Sequence, residues 1–212
     1  MHVLTYASRW QPSLEVFLRS CAAAGLRPEV LGYGQTWHGF GGRLRRVTAG
    51  LAGLRGPVLF LDAFDMLVLG RAEELQARFL DLGHPLVFAA ETNCYPDPAR
   101  AVAYPACKTR YRYLNAGAWI GDAEYARALL LDAGADRVPD DTNDQGWLTE
   151  LFLARPGALA LDTRCELFQC LFEAVPDLEA PRSDAGRWRN RLTETQPLVF
   201  HGNGCTPMDF LL

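Results

Sequence analysis

The chain has 212 residues, 49% of them hydrophobic, and a formal net charge of −4. That length suits one α/β domain spanning residues 1–212, and the apolar content excludes a disordered chain. The acidic balance excludes a surface built to grip a nucleic-acid backbone, and no apolar run reaches the roughly 20 residues that span a bilayer.

Met1-His2-Val3-Leu4 runs straight into a strand pattern without the layout of a signal peptide, so a cytoplasmic location is expected. Val3–Tyr6 reads as the first strand. Leu14–Ala24 has helical spacing, with Leu14, Phe17, Leu18 and Cys21 on one face and Gly25 as its stop. A short strand, Pro28–Leu31, precedes a glycine-rich loop, Gly34–Gly42, that carries Trp37 and His38. Arg43–Leu54 fits a helix closed by Gly56-Pro57.

Val58–Leu61 is continuously apolar, as a strand buried on both faces of a parallel sheet should be. A helix (Glu73–Leu80) and another apolar strand (Leu86–Ala90) follow, then a proline-rich loop from Glu91 to Arg112. Leu114–Ile120 reads as a strand, and Ala123–Ala133 and Gln145–Leu153 read as helices. Leu159–Leu161 and Leu198–Phe200 are late strands, while the polar stretch Glu173–Arg191 carries no assignment. Strands alternating with helices predict a layered α/β fold with an open, mostly parallel, twisted sheet. In such sheets the ligand crevice lies beyond the carboxyl ends of the strands, so the residues just after each strand are where chemistry is expected.

Four places meet that condition. Asp62 and Asp65 follow the Val58–Leu61 strand, and two hard oxygen donors there suit Mg²⁺ or Mn²⁺; a solvated strand end is the bland alternative. His201-Gly202-Asn203-Gly204 follows Leu198–Phe200, where a metal ligand from another part of the chain would be wanted; a tight turn is the alternative. Polar Asn115 lies inside the apolar run Tyr113–Gly121, and the small residues around it would admit a ligand against the backbone or mark a β-bulge. Asp140-Asp141-Thr142-Asn143-Asp144-Gln145 opens a helix, where acids are favoured by the dipole, yet it holds more acceptors than one cap uses. Arg43, Arg45 and Arg46 form a basic cluster of a size to hold one pyrophosphate. The six cysteines are scattered with no paired motif, which predicts free, mostly buried thiols.

The ordered set Phe60–Leu67, Val87–Glu91 with Tyr95-Pro96-Asp97, Tyr113–Gly121, Asn143-Asp144-Gln145, Leu161-Asp162 with Cys165 and Phe168-Gln169, and His201–Gly204 resembles the glycosyltransferase domain of the procollagen lysyl hydroxylases. The likeness runs from Val3 to Gly204. It implies a GT-A fold, a UDP-sugar donor and Mn²⁺ (or Mg²⁺) held by Asp62, Asp65 and His201. It also implies that Thr5, Trp37, Arg43 and Phe64 lie near the nucleotide. Gly202, Asn203 and Gly204 would then lie near the diphosphate, with Tyr95 and Asn115 beside the donor sugar.

Arg43 stands where the family has a lysine, and Asn143 where it has the first of two aspartates. Asp144 and Asn143 are therefore expected on the acceptor side, with Glu91 and Asp144 as the bases available to an inverting reaction; a retaining outcome is the expectation. The acceptor is an unnamed glycan or protein hydroxyl, with a hydroxylysine-type group among the options. The iron- and 2-oxoglutarate-dependent hydroxylation of the animal enzymes is not expected. A non-catalytic carbohydrate-binding module and a metal-dependent phosphatase or pyrophosphatase are the rival readings. A dehalogenase-like phosphatase spaces its two aspartates by one residue, whereas two separate Asp62 from Asp65.

Overall fold

The computed structural model of the protein describes residues 1–183 and 186–212. Its strands are β1 (His2–Tyr6), β2 (Glu29–Leu31), β3 (Pro57–Leu61), β4 (Met66–Val68), β5 (Leu86–Glu91), β6 (Tyr113–Asp122), β7 (Ala160–Asp162), β8 (Phe168–Cys170), β9 (Leu178–Glu179), β10 (Arg189–Asn190) and β11 (Val199–His201). The helices are α1 (Pro12–Ala23), α2 (Gly39–Gly50), α3 (Ala72–Leu82), α4 (Ala123–Asp132) and α5 (Asp144–Ala154). None of the described helices is long and apolar enough to cross a membrane.

Six strands form the main sheet in the order β2-β1-β3-β6-β5-β7. β6 runs antiparallel to both of its neighbours, and the other pairings are parallel. The amino end of β6 therefore lies at the same sheet edge as the carboxyl ends of β3 and β5. Alternate strand residues feed two cores, as a sheet covered on both faces requires. Val3, Leu59 and Leu61 pack with α1, α3 and a second sheet, while Leu4, Val58 and Phe60 pack with α2, α4 and α5. Trp119 anchors the second face between Phe60 and Phe88, with ring centroids 5.7 and 5.9 Å away.

The second sheet, β4-β11-β8, is built from three-residue strands. β11 pairs antiparallel with β4, placing His201 opposite Met66, and parallel with β8. Asp162, at the end of β7, turns the chain into β8: its carboxylate accepts the backbone N–H groups of Glu166, Leu167 and Phe168 at 2.8, 2.7 and 2.9 Å.

Several boundaries differ from the sequence expectation, each for a local reason. α1 stops as expected at Gly25, whose φ is +79°, with Leu26 N–H on Cys21 O and Gly25 N–H on Ala22 O. α2 begins a turn earlier than Arg43, inside the stretch expected to be loop. Tertiary contact overrides glycine's poor helix propensity there, because a Cβ on Gly41 would stand 1.8 Å from the Pro139 carbonyl oxygen. His201 is the last residue of its strand, not the first after it. The unassigned Glu173–Arg191 stretch contributes the β9–β10 hairpin, and its residues 184 and 185 lie outside those described.

Candidate active site

The cleft at the shared sheet edge has a volume of about 510 Å³. Asp62 leaves the end of β3 with its N–H on Gly117 O at 2.8 Å. Asp65 directly precedes β4, and the Met66–His201 pairing brings its carboxylate beside the imidazole, with Oδ2 3.2 Å from Nε2. One ligand atom from each of Asp62, Asp65 and His201 lies within 4.8 Å of the other two. Two distant chain segments thus meet at one point because two short strands pair.

β6 makes this convergence possible. Its register against β5 jumps from Phe88–Trp119 to Ala89–Asn115, so Ala116–Ala118 bulge toward the cleft. Gly117 is at the tip, where a Cβ would lie 2.4 Å from His201 Cε1 and 2.8 Å from Asp62 Oδ2. Glycine is required because His201 and Asp62 themselves press against the backbone. The bulge that the sequence offered as one reading of this run is present, and Asn115 and Gly117 within it line the cleft.

Behind this wall Glu91 holds three amides. Its Oε1 accepts Asn115 Nδ2 at 2.9 Å and Gln145 Nε2 at 2.8 Å, and its Oε2 accepts Asn203 Nδ2 at 3.0 Å. A carboxylate only accepts, so each amide must turn its carbonyl oxygen away. Gln145 Oε1 then takes Ala116 N–H, and Asn203 Oδ1 takes Leu171 and Phe172 N–H. Asn115 Oδ1 takes Gly117 N–H at 3.0 Å and faces His201 Nδ1 at 3.0 Å. That last contact makes Nδ1 a donor, so Nε2, on the Asp65 side, is the nitrogen left to bind a cation once it gives up any proton it shares with Asp65, the arrangement of a metal-binding histidine.

Charge follows the same geometry. Burial, with the Asp65 carboxylate nearby, pushes Asp62 up to about 6 against the pull of Arg43. Burial acts on Asp65 in the same sense, but His201 and Arg43 outweigh it and lower its pKa. Burial works against a charged His201, yet the surrounding Asp65, Asp62 and Glu91 raise its pKa. Glu91 is raised by burial, which its three amide partners only partly offset. Acids forced together around an imidazole suit a hard divalent cation, and the donor set of two carboxylates and one imidazole fits Mn²⁺ or Mg²⁺.

The opposite wall comes from α2 and α5. Arg43 bonds Asp62 through one guanidinium nitrogen and Asp144 Oδ2 through Nε at 2.9 Å. It also lies over the Phe40 ring, 5.1 Å from the centroid. Asn143 caps α5, its Oδ1 accepting Gly146 N–H at 2.9 Å, and its Nδ2 reaches the Tyr95 hydroxyl at 3.4 Å. Tyr95 and Phe40 are about half exposed at the opening.

Of the residues expected at the site, Asp62, Asp65, His201, Arg43, Glu91, Tyr95, Asn115, Asn143, Asp144, Asn203 and Gly204 line this cleft. Thr5, Trp37, Phe64 and Gly202 do not. Thr5 is fully buried in β1 with no partner for its hydroxyl among the described residues, and Phe64 packs against the core below the sheet. Trp37 stands outside, edge-on to Tyr6 and Phe40 at 5.6 and 5.4 Å. Phe40, Asn93, Gly117, Gln145, Phe172 and Cys205 line the cleft without having been singled out for it.

The PLOD GT domain family profile matches residues 1–211. The procollagen-lysine,2-oxoglutarate 5-dioxygenase of Drosophila melanogaster is 30% identical over 227 residues, covering 98% of this chain and 31% of that protein. The human multifunctional procollagen lysine hydroxylase and glycosyltransferase LH3 is 31% identical over 227 residues, covering 97% of this chain and 30% of that protein. The chain thus spans about three tenths of the length of these relatives.

Among solved structures, mouse xyloside xylosyltransferase 1 in its apo form superposes with a TM-score of 0.55 at 14% identity, covering 98% of this chain and 99% of that one. A glycosyltransferase involved in glycosylation of the major capsid of PBCV-1 gives 0.56 at 14% identity, covering 96% and 94%. With the mostly parallel sheet and the convergence of β3, β4, β6 and β11 on one cleft, these matches place the chain in the PLOD GT domain family, a glycosyltransferase domain on the GT-A fold.

Proposed function

We propose that the chain acts as a metal-dependent glycosyltransferase that moves a hexose from a UDP-sugar to a hydroxyl on a glycan or protein acceptor. The observation that carries this reading is the meeting of Asp62, Asp65 and the correctly oriented His201 at the mouth of the cleft. A divalent cation held there would supply positive charge to a diphosphate leaving group. Arg43, already between Asp62 and Asp144, is within reach of the same group and adds a permanent charge. Tyr95 and Phe40 offer aromatic faces at the opening for a sugar ring.

Asp144 stands on the far wall, where it would orient the acceptor hydroxyl. We take the outcome to be retention of configuration. The acids lining the cleft are all committed: Asp62 and Asp65 to the cation, Asp144 to Arg43, and Glu91 to three amides. None stands free as an inverting base.

Calorimetric titration with UDP tests the reading. Affinity should need Mn²⁺ and should collapse with a chelator or in Asp65→Ala; unchanged affinity in both would remove the metal assignment. UDP release from a panel of UDP-sugars would then separate an enzyme from a carbohydrate-binding module.

A further inference from the structure

The three arginines that cluster in sequence separate in the fold. Arg43 turns into the cleft, whereas Arg45 and Arg46 line another cavity of about 500 Å³. This second cavity shares no lining residue with the cleft. Its walls come from the 35–38 loop, the Arg45–Ala49 side of α2, Arg127 and Leu131 of α4, and Asp136.

Its charge is unbalanced. Three arginines face one lining acid, and Asp136 already accepts a hydrogen bond from Arg137 at 3.3 Å. Arg45 is held by the Val138 carbonyl and the Asp140 carboxylate. Among the described residues Arg46 has no ion-pair partner, and the buried Nε of Arg127 has no hydrogen-bond partner. A buried donor left unmet costs its desolvation, and arginine cannot relieve that by losing its proton. Arg46 and Arg127 both line the cavity, so an anion from solution would meet their outward guanidinium nitrogens, though not the closed-off Nε of Arg127, and their planar forks match phosphate oxygens. Gln35, Thr36 and His38 add further polar groups on the same walls.

We propose that this cavity is a second anion site, which takes a small phosphate-bearing molecule on Arg46 and Arg127 with Arg45 at its edge. Arg45 also fastens the loop that leads into Asn143 and Asp144, so an occupant lies one guanidinium away from the cleft's far wall. The site needs no metal, and its existence is independent of the transferase reading.

The test is a calorimetric titration of the full chain with inorganic pyrophosphate in the presence of EDTA. Asp65→Ala and Arg43→Gln, both altered in the cleft, should bind as the parent does. Arg46→Gln, at an exposed position that carries no folding risk, should weaken binding by about tenfold or more, and Arg46→Lys should recover part of it. Arg127→Gln should behave like Arg46→Gln once circular dichroism shows it folded. Absence of binding under EDTA overturns the proposal. So does binding that survives Arg46→Gln and Arg127→Gln but disappears in Arg43→Gln, which would place the anion in the cleft.

Discussion

On the Asp62 wall of the cleft each polar side chain is held from behind by another, whereas on the Asp144 wall a single guanidinium does most of the holding. The first wall is assembled from strand ends: Glu91 fixes Asn115, Asn115 fixes His201, and Gly117 leaves room for them. The second is assembled from helix starts, where Asn143 caps α5 and Arg43 spans Asp62 and Asp144. A buried, fully bonded network resists rearrangement, as a site that must place a cation within tenths of an ångström requires. An ion pair at a cleft wall can exchange one partner for an incoming anion or hydroxyl. The rigid wall suits the group common to every donor, and the adjustable wall suits the acceptor.

Breaking the rigid wall at its ligands should have the largest effect. Asp65→Ala removes a carboxylate of the candidate cation site that also raises the pKa of His201. Sugar transfer should fall by about three orders of magnitude, the equivalent of roughly 4 kcal/mol of lost leaving-group stabilisation. A steady-state assay showing a loss under tenfold would mean that the cation is not held there. Gly117→Ala reaches the same ligands without changing any charge, since its Cβ would displace His201 and Asp62. Mn²⁺ binding, followed by electron paramagnetic resonance, should be lost while the protein stays folded.

The adjustable wall should separate donor from acceptor. Asp144→Asn should leave UDP-sugar affinity nearly unchanged and lower transfer by about 10²–10⁴, with donor hydrolysis by water suffering less. Because Arg43 joins Asp144 to Asp62, this experiment measures how far the two walls are coupled. A large loss of donor affinity would show that the bridge, and not Asp144 alone, belongs to the donor side. Glu91→Gln is the milder test of the rigid wall. It puts an NH₂ group where one carboxylate oxygen stood, opposing at least one of the three amide donors, so Mn²⁺ affinity should drop by about 10–100-fold with the ligands intact. Unaltered affinity would mean that the amides are fixed by their outer contacts.

The same contrast explains what the sequence disclosed. Asp62, Asp65 and His201 were legible because each lies at or just beyond a strand end, where polar residues interrupt an apolar run. Gln145 was read with the acceptor-rich segment that opens a helix and given no role of its own, because its pairing with Glu91 crosses 54 residues and leaves no local pattern. β4 and β8 were missed because three residues carry no measurable periodicity, although their pairing with β11 builds the metal side. Phe172 lies just past β8, before the unassigned Glu173–Arg191 stretch, and reaches the cleft beside Gly204, which no spacing rule anticipates. Thr5, Trp37 and Phe64 rested on resemblance alone, and with Gly202 they lie off the cleft.

The smallest expected effect concerns Cys205, which sharpens the comparison because it lines the cleft yet belongs to neither network. Cys21, Cys94, Cys165 and Cys170 are buried and Cys107 is half-buried, leaving Cys205 as the exposed thiol among the free cysteines. Burial pushes the Cys21 thiol up to about 12 and raises Cys94, Cys165 and Cys170, so these four are poor nucleophiles. A thiol with no part in holding cation or acceptor should tolerate a small modification. Methylthiolation of Cys205 should leave transfer essentially unchanged, and a bulky maleimide there should raise the acceptor KM by crowding the opening, with UDP affinity preserved. Cys205→Ser should be insensitive to both reagents, which assigns any effect to this position. Loss of transfer on methylthiolation alone would make Cys205 part of the reacting machinery and would require a third working element in the cleft besides its two walls.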